Sequence, residues 1–288
     1  MTAANDVAVF VSEGSGNWRC AAYTRASGAP IRADTGHFNG LTLSNDAGDL
    51  TNDIGIAIGA AASENDISPI LMALTSALIK RLDANWSAGT NNGMRYSGAA
   101  IANTTYHIYL CSTAGGGNVD IYADPSADLS TVLTHLQAET GGSAYTKLRR
   151  IGSIVRISAA IQLFKQVGTV FIINNVTEQT ASSTSAKALR TLTSVPSGIS
   201  VRARLAISLQ LGSSASVNHS IYTPLKDTSW AADLAASAAS TSAGFNIGNW
   251  YGAIETNTSG QIYSAVTISG ACVSALVSNG WDDYTLRG

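Results

Sequence analysis

The side chains that could do chemistry in this 288-residue chain are few and scattered. Paired carboxylates are the first place to look, because two acids flanking one bond can hydrolyse a glycoside. Asp120, Asp124 and Asp128 cluster after a triple glycine, and Asp282 and Asp283 stand side by side near the C-terminus. Adjacent residues of a strand point to opposite faces, so Asp282 and Asp283 cannot flank the same bond. Asp124 precedes Pro125 and reads as a turn initiator. The four histidines (His37, His107, His135 and His219) occur singly, without the spacings of a metal site. Cys20, Cys111 and Cys272 are far apart and odd in number, which argues against a disulfide framework. Cys111 and Cys272 lie in apolar runs and read as small core residues. No Walker-type loop and no Gly-x-Ser-x-Gly elbow occurs. The expectation is therefore a chain with no catalytic residue, no metal and no cofactor. Aromatic residues are the remaining recognition chemistry. Trp230, Trp250, Tyr251, Trp281 and Tyr284 all fall in the C-terminal third. Trp250, Tyr251, Trp281 and Tyr284 are the candidates for glycan binding, against a reading in which each simply packs.

Charge narrows the partners. Only 12% of residues are charged, against about 25% in ordinary globular proteins. The formal net charge is −2. Nucleic-acid binding needs clustered cations that displace counterions, and the nearest approach is Lys147, Arg149, Arg150 and Arg156 at the start of a strand. A surface built from Ser, Thr, Asn and Gly suits packing of copies against each other, because few charges need desolvating. The N-terminus lacks the basic and apolar regions of a signal peptide, and no apolar run approaches the ~18 residues of a membrane helix. The expectation is a product of a cytosol with no membrane insertion.

The elements that must position these residues are mainly strands. An N-terminal unit, residues 1–38, reads as a hairpin around Gly14–Gly16 and is too small for a core of its own. Residues 39–180 form a β-rich domain with one amphipathic helix at 68–86. Ser68 is placed to cap that helix and Pro69 to open it, and Leu71, Leu74, Leu78, Leu82 and Trp86 recur at spacings of three and four. Gly115–Gly117 marks a hairpin between strands at 106–111 and 119–123. A weaker helical patch covers 129–139. Residues 174–197 look like a connector. From 199 to 211, Ile199, Val201, Ala203, Leu205, Ile207, Leu209 and Leu211 alternate with Arg202, Arg204, Ser208 and Gln210, the pattern of a strand with one buried face. With later strands at 247–255, 261–269 and 271–277, residues 190–288 read as a β-sandwich of jelly-roll or similar kind. The small-residue stretch 231–244 is a helix or a loop. The fold class is thus mainly β (α+β).

Several of these segments share a pattern. Leu41–Asp46, Thr51–Ile54, Lys80–Trp86, Asn103–Cys111, Val119–Tyr122 and Leu148–Ile154, ending with Ile161–Gln166, Gly168 and Phe171, resemble a module of virion structural proteins from bacteriophages and prophages, the tail-fibre, head-fibre and decoration types. The C-terminal Val277-Ser-Asn-Gly-Trp-Asp-Asp283 with Arg287-Gly288 is similar to the ending of the same proteins, though Asp283-Tyr-Thr-Leu intervenes here before Arg287. The resemblance covers well over half of the chain. It implies a virion component made in the cytoplasm of a host bacterium. It further implies a homo-oligomer, most often a trimer, attached to other virion proteins through the N-terminal hairpin and displaying a β-sandwich outward. It transfers no catalytic or binding residue. Three functions follow as expectations: a fibre, spike or decoration protein contacting host-surface polysaccharide; a purely architectural capsid or tail connector; and a polysaccharide depolymerase.

Overall fold

The computed structural model describes residues 7–24, 36–65, 69–212, 214–226, 231–240 and 245–287. Strands hold 59% of the chain and helical turns 6%, so the fold is mostly β. An N-terminal hairpin pairs β1 (Val7–Gly14) with β2 (Asn17–Thr24) through a turn in which Gly14, Ser15 and Gly16 all have positive φ. Short strands follow: β3 (Phe38–Gly40), β4 (Leu43–Asn45), β5 (Asp53–Ile56), β6 (Gly59–Ala62), β7 (Leu71–Leu74), β8 (Leu78–Asn85) and β9 (Asn92–Arg95). Next come β10 (Thr105–Thr113), β11 (Asp120–Asp124), helix α1 (Leu129–Ala138), β12 (Tyr145–Ile157), β13 (Ala160–Ile161) and β14 (Phe164–Val167). The last eight strands are β15 (Val170–Ala181), β16 (Ser185–Thr191), β17 (Arg202–Leu211), β18 (Ala215–Tyr222), β19 (Leu234–Ser240), β20 (Phe245–Glu255), β21 (Gln261–Ser269) and β22 (Cys272–Asp282).

Thirteen strands share one hydrogen-bonded sheet in the order β13-β12-β10-β11-β9-β8-β5-β4-β14-β15-β22-β17-β20. The sheet therefore runs without a break from the first half of the chain into the second. A second sheet, β16-β21-β18-β19, packs on its β15-β22-β17-β20 end, with β18 against β22 and β17, and β19 against β17 and β20. Leu205, Ile207, Leu209 and Leu276 from one layer meet Val217, Ile221, Ile262 and Val266 from the other in the main core. Each such burial stabilises the sandwich by about 1.5–3 kcal/mol. The alternating residues 199–211 behave as their pattern requires, and β15 and β16 lie in the stretch that reads as a connector. The small-residue segment expected as helix or loop supplies strand β19. β-branched residues are scarce there, and tertiary pairing with β18 decides its state.

The expected helix at 68–86 is not a helix. Residue 68 and its capping role lie outside the described residues, and β7 and β8 occupy 71–74 and 78–85. The reason lies in the spacing: Leu74, Leu78, Leu82 and Trp86 are four apart, and four is a multiple of the strand period as well as close to the helical one. The structure resolves the ambiguity with Met72, Leu74, Lys80, Leu82 and Trp86 all buried, every one an even position. Lys80, which a helix would have turned outward, is buried with its Nζ 2.9 Å from Asp120 Oδ1 and donating to Ser87 O and Gly89 O. The α-helix among the described residues is instead α1, at the weaker patch. Asp128 caps it by accepting from the Thr131 amide at 2.8 Å, and Val132 and Leu136 face inward. The Gly115–Gly117 hairpin forms as expected between β10 and β11, with Gly116 at φ +79.

Buried polar groups tie the layers together. Arg150 Nη1 donates to Asp283 Oδ2 at 2.5 Å and Nη2 to Oδ1 at 3.0 Å, while Arg149 Nη2 donates to Leu286 O at 2.8 Å. The basic start of β12 thus clamps the C-terminal turn. His219 lies between the sandwich sheets, Nδ1 2.6 Å from Ser274 Oγ and Nε2 3.0 Å from Ser264 Oγ. Burial pushes its pKa down to about 4. His107 meets Ser153 Oγ through Nδ1 at 2.8 Å. Burial, with Arg150 nearby, lowers its pKa to about 3.

Candidate functional site

The four aromatic candidates part company in the fold. Trp281 is 1% exposed and stacks on Phe171 with ring centroids 5.0 Å apart, so it is a core residue and presents no ring to a ligand. Trp250 is half-buried and packs against the same core. Tyr251 follows it on β20 with its side chain on the other face, and is 67% exposed. Tyr284, in the turn Tyr284–Arg287, is 39% exposed and lies under the Arg202 guanidinium, 5.7 Å from carbon to ring centroid. Tyr251 and Tyr284 therefore share the outer face of the sandwich, and the two tryptophans belong to its interior.

The polar residues between them come from the outward positions of β17. Antiparallel register sets Arg202 opposite Glu255 on β20 and Asp282 on β22, and sets Arg204 opposite Ala253 and Gly280. Arg202 has an ion pair with Glu255 at 3.3 Å. Arg204 has no hydrogen bond or ion pair among the described residues. Opposite charges facing each other across a pair stabilise it, and the small neighbours of Arg204 offer nothing of the kind.

β22 is irregular at this point. Arg204 pairs with Gly280 but Leu205 pairs with Ser278, so Asn279 is an extra residue with no partner on β17. Such a bulge redirects a side chain and is common beside binding sites. Gly280 makes it possible: its φ is +134, and a Cβ there would come within 2.0 Å of Phe171 O. The displaced Asn279 joins Arg204, Leu205, Tyr251, Gly252 and Ala253 around a depression of about 220 Å³. Its Oδ1 is buried without a hydrogen-bond partner. Beyond Arg202 a second cleft of about 290 Å³ is bordered by Glu255, Lys226 and Asp233. Lys226 and Asp233 form an ion pair there. Burial works upward on the Asp233 carboxyl, but hydrogen bonds from Lys226 and the Thr223 amide hold it below the usual carboxylate range.

This surface offers an aromatic ring, a guanidinium and an amide on three adjacent strands of a rigid sheet, the groups with which a protein holds a sugar: stacking from the ring, directional hydrogen bonds from the rest. The sequence already sets Arg202 and Arg204 on an outward strand face. Their relation to Tyr251, and the role of Asn279, depend on a register and a bulge that only the folded sheet supplies. Trp230 lies outside the described residues. Four of the five acids that could serve hydrolysis are occupied elsewhere: Asp120 with Lys80, Asp124 with His135 at 2.7 Å, Asp128 at the helix cap and Asp283 with Arg150; Asp282 stands across from Arg202 with its Oδ1 buried and without a hydrogen-bond partner. Among the described residues no group of three or more His, Cys, Asp or Glu side chains is arranged to hold a metal ion. No helix there is long and apolar enough to cross a membrane.

No family model and no curated protein matches the chain. Among solved structures, it is similar to a Cry1Da tryptic core variant of Bacillus thuringiensis, at 8% identity and TM-score 0.20, over 86% of this chain and 53% of that one. The chain thus spans about half the length of that structure. It is also similar to the VP2 subviral particle of infectious bursal disease virus, at 9% identity and TM-score 0.21, over 90% of this chain and 77% of that one. At such scores neither likeness bears on fold or function.

Proposed function

We propose that this chain is a structural protein of a phage or phage-like virion, a fibre, spike or decoration protein, whose C-terminal sandwich is a jelly roll that contacts host-surface polysaccharide. The observation that carries the reading is the order of the last eight strands. β15 pairs with β22, β16 with β21, β17 with β20 and β18 with β19. That is one long hairpin, rolled so that its strands fall alternately into two sheets, β15-β22-β17-β20 and β16-β21-β18-β19. Double-sheet jelly rolls serve in viral capsid and lectin domains, among others. Fold alone does not fix a task. Assembly is supported separately by the β1–β2 hairpin, whose Val7, Val9, Phe10, Val11 and Trp18 are all exposed in the single chain. A two-stranded sheet has little stability alone, and large apolar side chains exposed along it suit a docking element. In this reading the hairpin seats on another virion protein, the chain is a homo-oligomer with a trimer favoured, and it binds rather than cuts.

Native mass spectrometry of the whole chain tests the assembly: a trimer is expected, and a stable monomer at micromolar concentration counts against it. Immunogold labelling of particles shows where the protein sits. Deletion of residues 1–24 should abolish particle attachment while leaving the sandwich folded. Attachment without any glycan binding would favour a purely architectural connector. Release of reducing ends from host capsule would favour a depolymerase.

A further inference from the structure

We infer that Arg204 makes the depression beside Tyr251 a site for a carboxylate-bearing sugar, of uronate or sialate type. This rests on the glycan-contact reading of the sandwich face and goes further, to the chemistry of the ligand. Two arginines stand two residues apart on the same face of β17, in opposite surroundings. Arg202 has acidic register partners on both sides, Glu255 and Asp282, and its own tyrosine, Tyr284. Its charge is answered within the protein. Arg204 is flanked by Ala253 and Gly280, which leave open the space where a counterion would sit. A guanidinium is a planar fork matched to a planar carboxylate, and such charge-assisted pairs are roughly twice as strong as neutral hydrogen bonds.

The rest of the depression fits a sugar that carries the carboxylate. Tyr251, 67% exposed on the neighbouring strand, supplies a ring for the apolar face of a pyranose. Asn279 lines the depression from the opposite strand and adds a polar side chain to it. The about 220 Å³ of the depression is on the scale of one sugar ring. One uncompensated cation also matches one negative charge. A densely sulfated or phosphorylated polymer would call for a cluster of uncompensated cations, and the ion pairs of Arg202 and Lys226 leave Arg204 in that role among the described residues of this face.

The test uses the full-length protein and four immobilised probes: polygalacturonate, polysialate, and the carboxyl-reduced form of each. Biolayer interferometry should show at least one acidic probe bound about tenfold or more tightly than its reduced form, the factor expected for one charge-assisted bond. Arg204→Gln should erase that difference. Arg204→Lys should recover only part of it, because the charge returns without the fork. Arg202→Gln is the control and should preserve the preference. Circular dichroism confirms that each variant is folded, as expected for exposed side chains. Binding of acidic and reduced probes alike, lost in Tyr251→Ala but unchanged in Arg204→Gln, overturns the carboxylate inference and leaves the glycan reading standing. No binding to any of the four probes, with none to a panel of neutral glycans, overturns both.

Discussion

Two buried histidines should make this protein lose stability in mild acid, and the size of the loss follows from their surroundings. His107 and His219 are both fully buried, with pKa values pushed from 6.5 to about 3 and about 4. The unfolded chain takes up a proton on each near pH 6.5, while the folded chain resists until far lower pH. Between those limits the unfolded state binds more protons, so stability falls as the pH falls. Each pKa unit is worth about 1.4 kcal/mol, so moving from pH 7 to pH 5 costs about 2 kcal/mol per histidine and about 4 together. Typical domains have only about 5–15 kcal/mol in hand, so the effect is large. Below about pH 4 the His219 contribution levels off, because the folded protein then protonates as well. Urea unfolding at fixed protein concentration, followed by tryptophan fluorescence at pH 7, 6 and 5, measures it. His219→Gln keeps a hydrogen-bonding side chain toward Ser264 or Ser274 but does not titrate. It should lower stability at pH 7 and roughly halve the slope between pH 7 and pH 5. Equal stability of the wild type at pH 7 and pH 5, or a wild-type slope in His219→Gln, would refute the reasoning.

Two further outcomes concern the C-terminal turn. Asp283→Ala leaves the buried Arg150 guanidinium without its bidentate partner and should destabilise by about 3–5 kcal/mol in the same urea assay at pH 7. Gly280→Ala forces a Cβ onto Phe171 O at a positive φ and should cost about 3 kcal/mol or more, seen as a lower unfolding midpoint or an insoluble product.

How far the sequence can be read depends on which physical signal each segment carries. Residues 199–211 carry an apolar side chain at every odd position, and β17 follows over Arg202–Leu211, because only one period fits them. Residues 71–86 fit two periods equally well, and the choice between them is made by partners remote in sequence: β5 beside β8, and Asp120 beneath Lys80. Local spacing cannot report either. The same limit applies to the aromatic candidates. Trp250 and Tyr251 are neighbours in the chain with similar chemistry, and the pleat sends one inward and the other outward. The sequence marks both, and only the register of β20 on β17 separates them.

The segment from Asn279 to Asp283 shows why a site and a scaffold can be inseparable here. Gly280 permits the bulge, the bulge puts Asn279 into the depression, and Trp281 on its other side stacks on Phe171 and anchors the strand in the core. Asp282 then stands across from Arg202, and Asp283 turns inward to hold Arg150 on β12, at the far side of the long sheet. Five consecutive residues thus set the recognition face, the core and the tie between the two halves of the chain. A substitution at any inward member, Gly280, Trp281 or Asp283, alters the face by moving its support. Asn279 lines the depression without supporting the core or the tie, and for that reason its truncation is a cleaner probe of recognition than replacement of Trp281, whose ring is buried in the core.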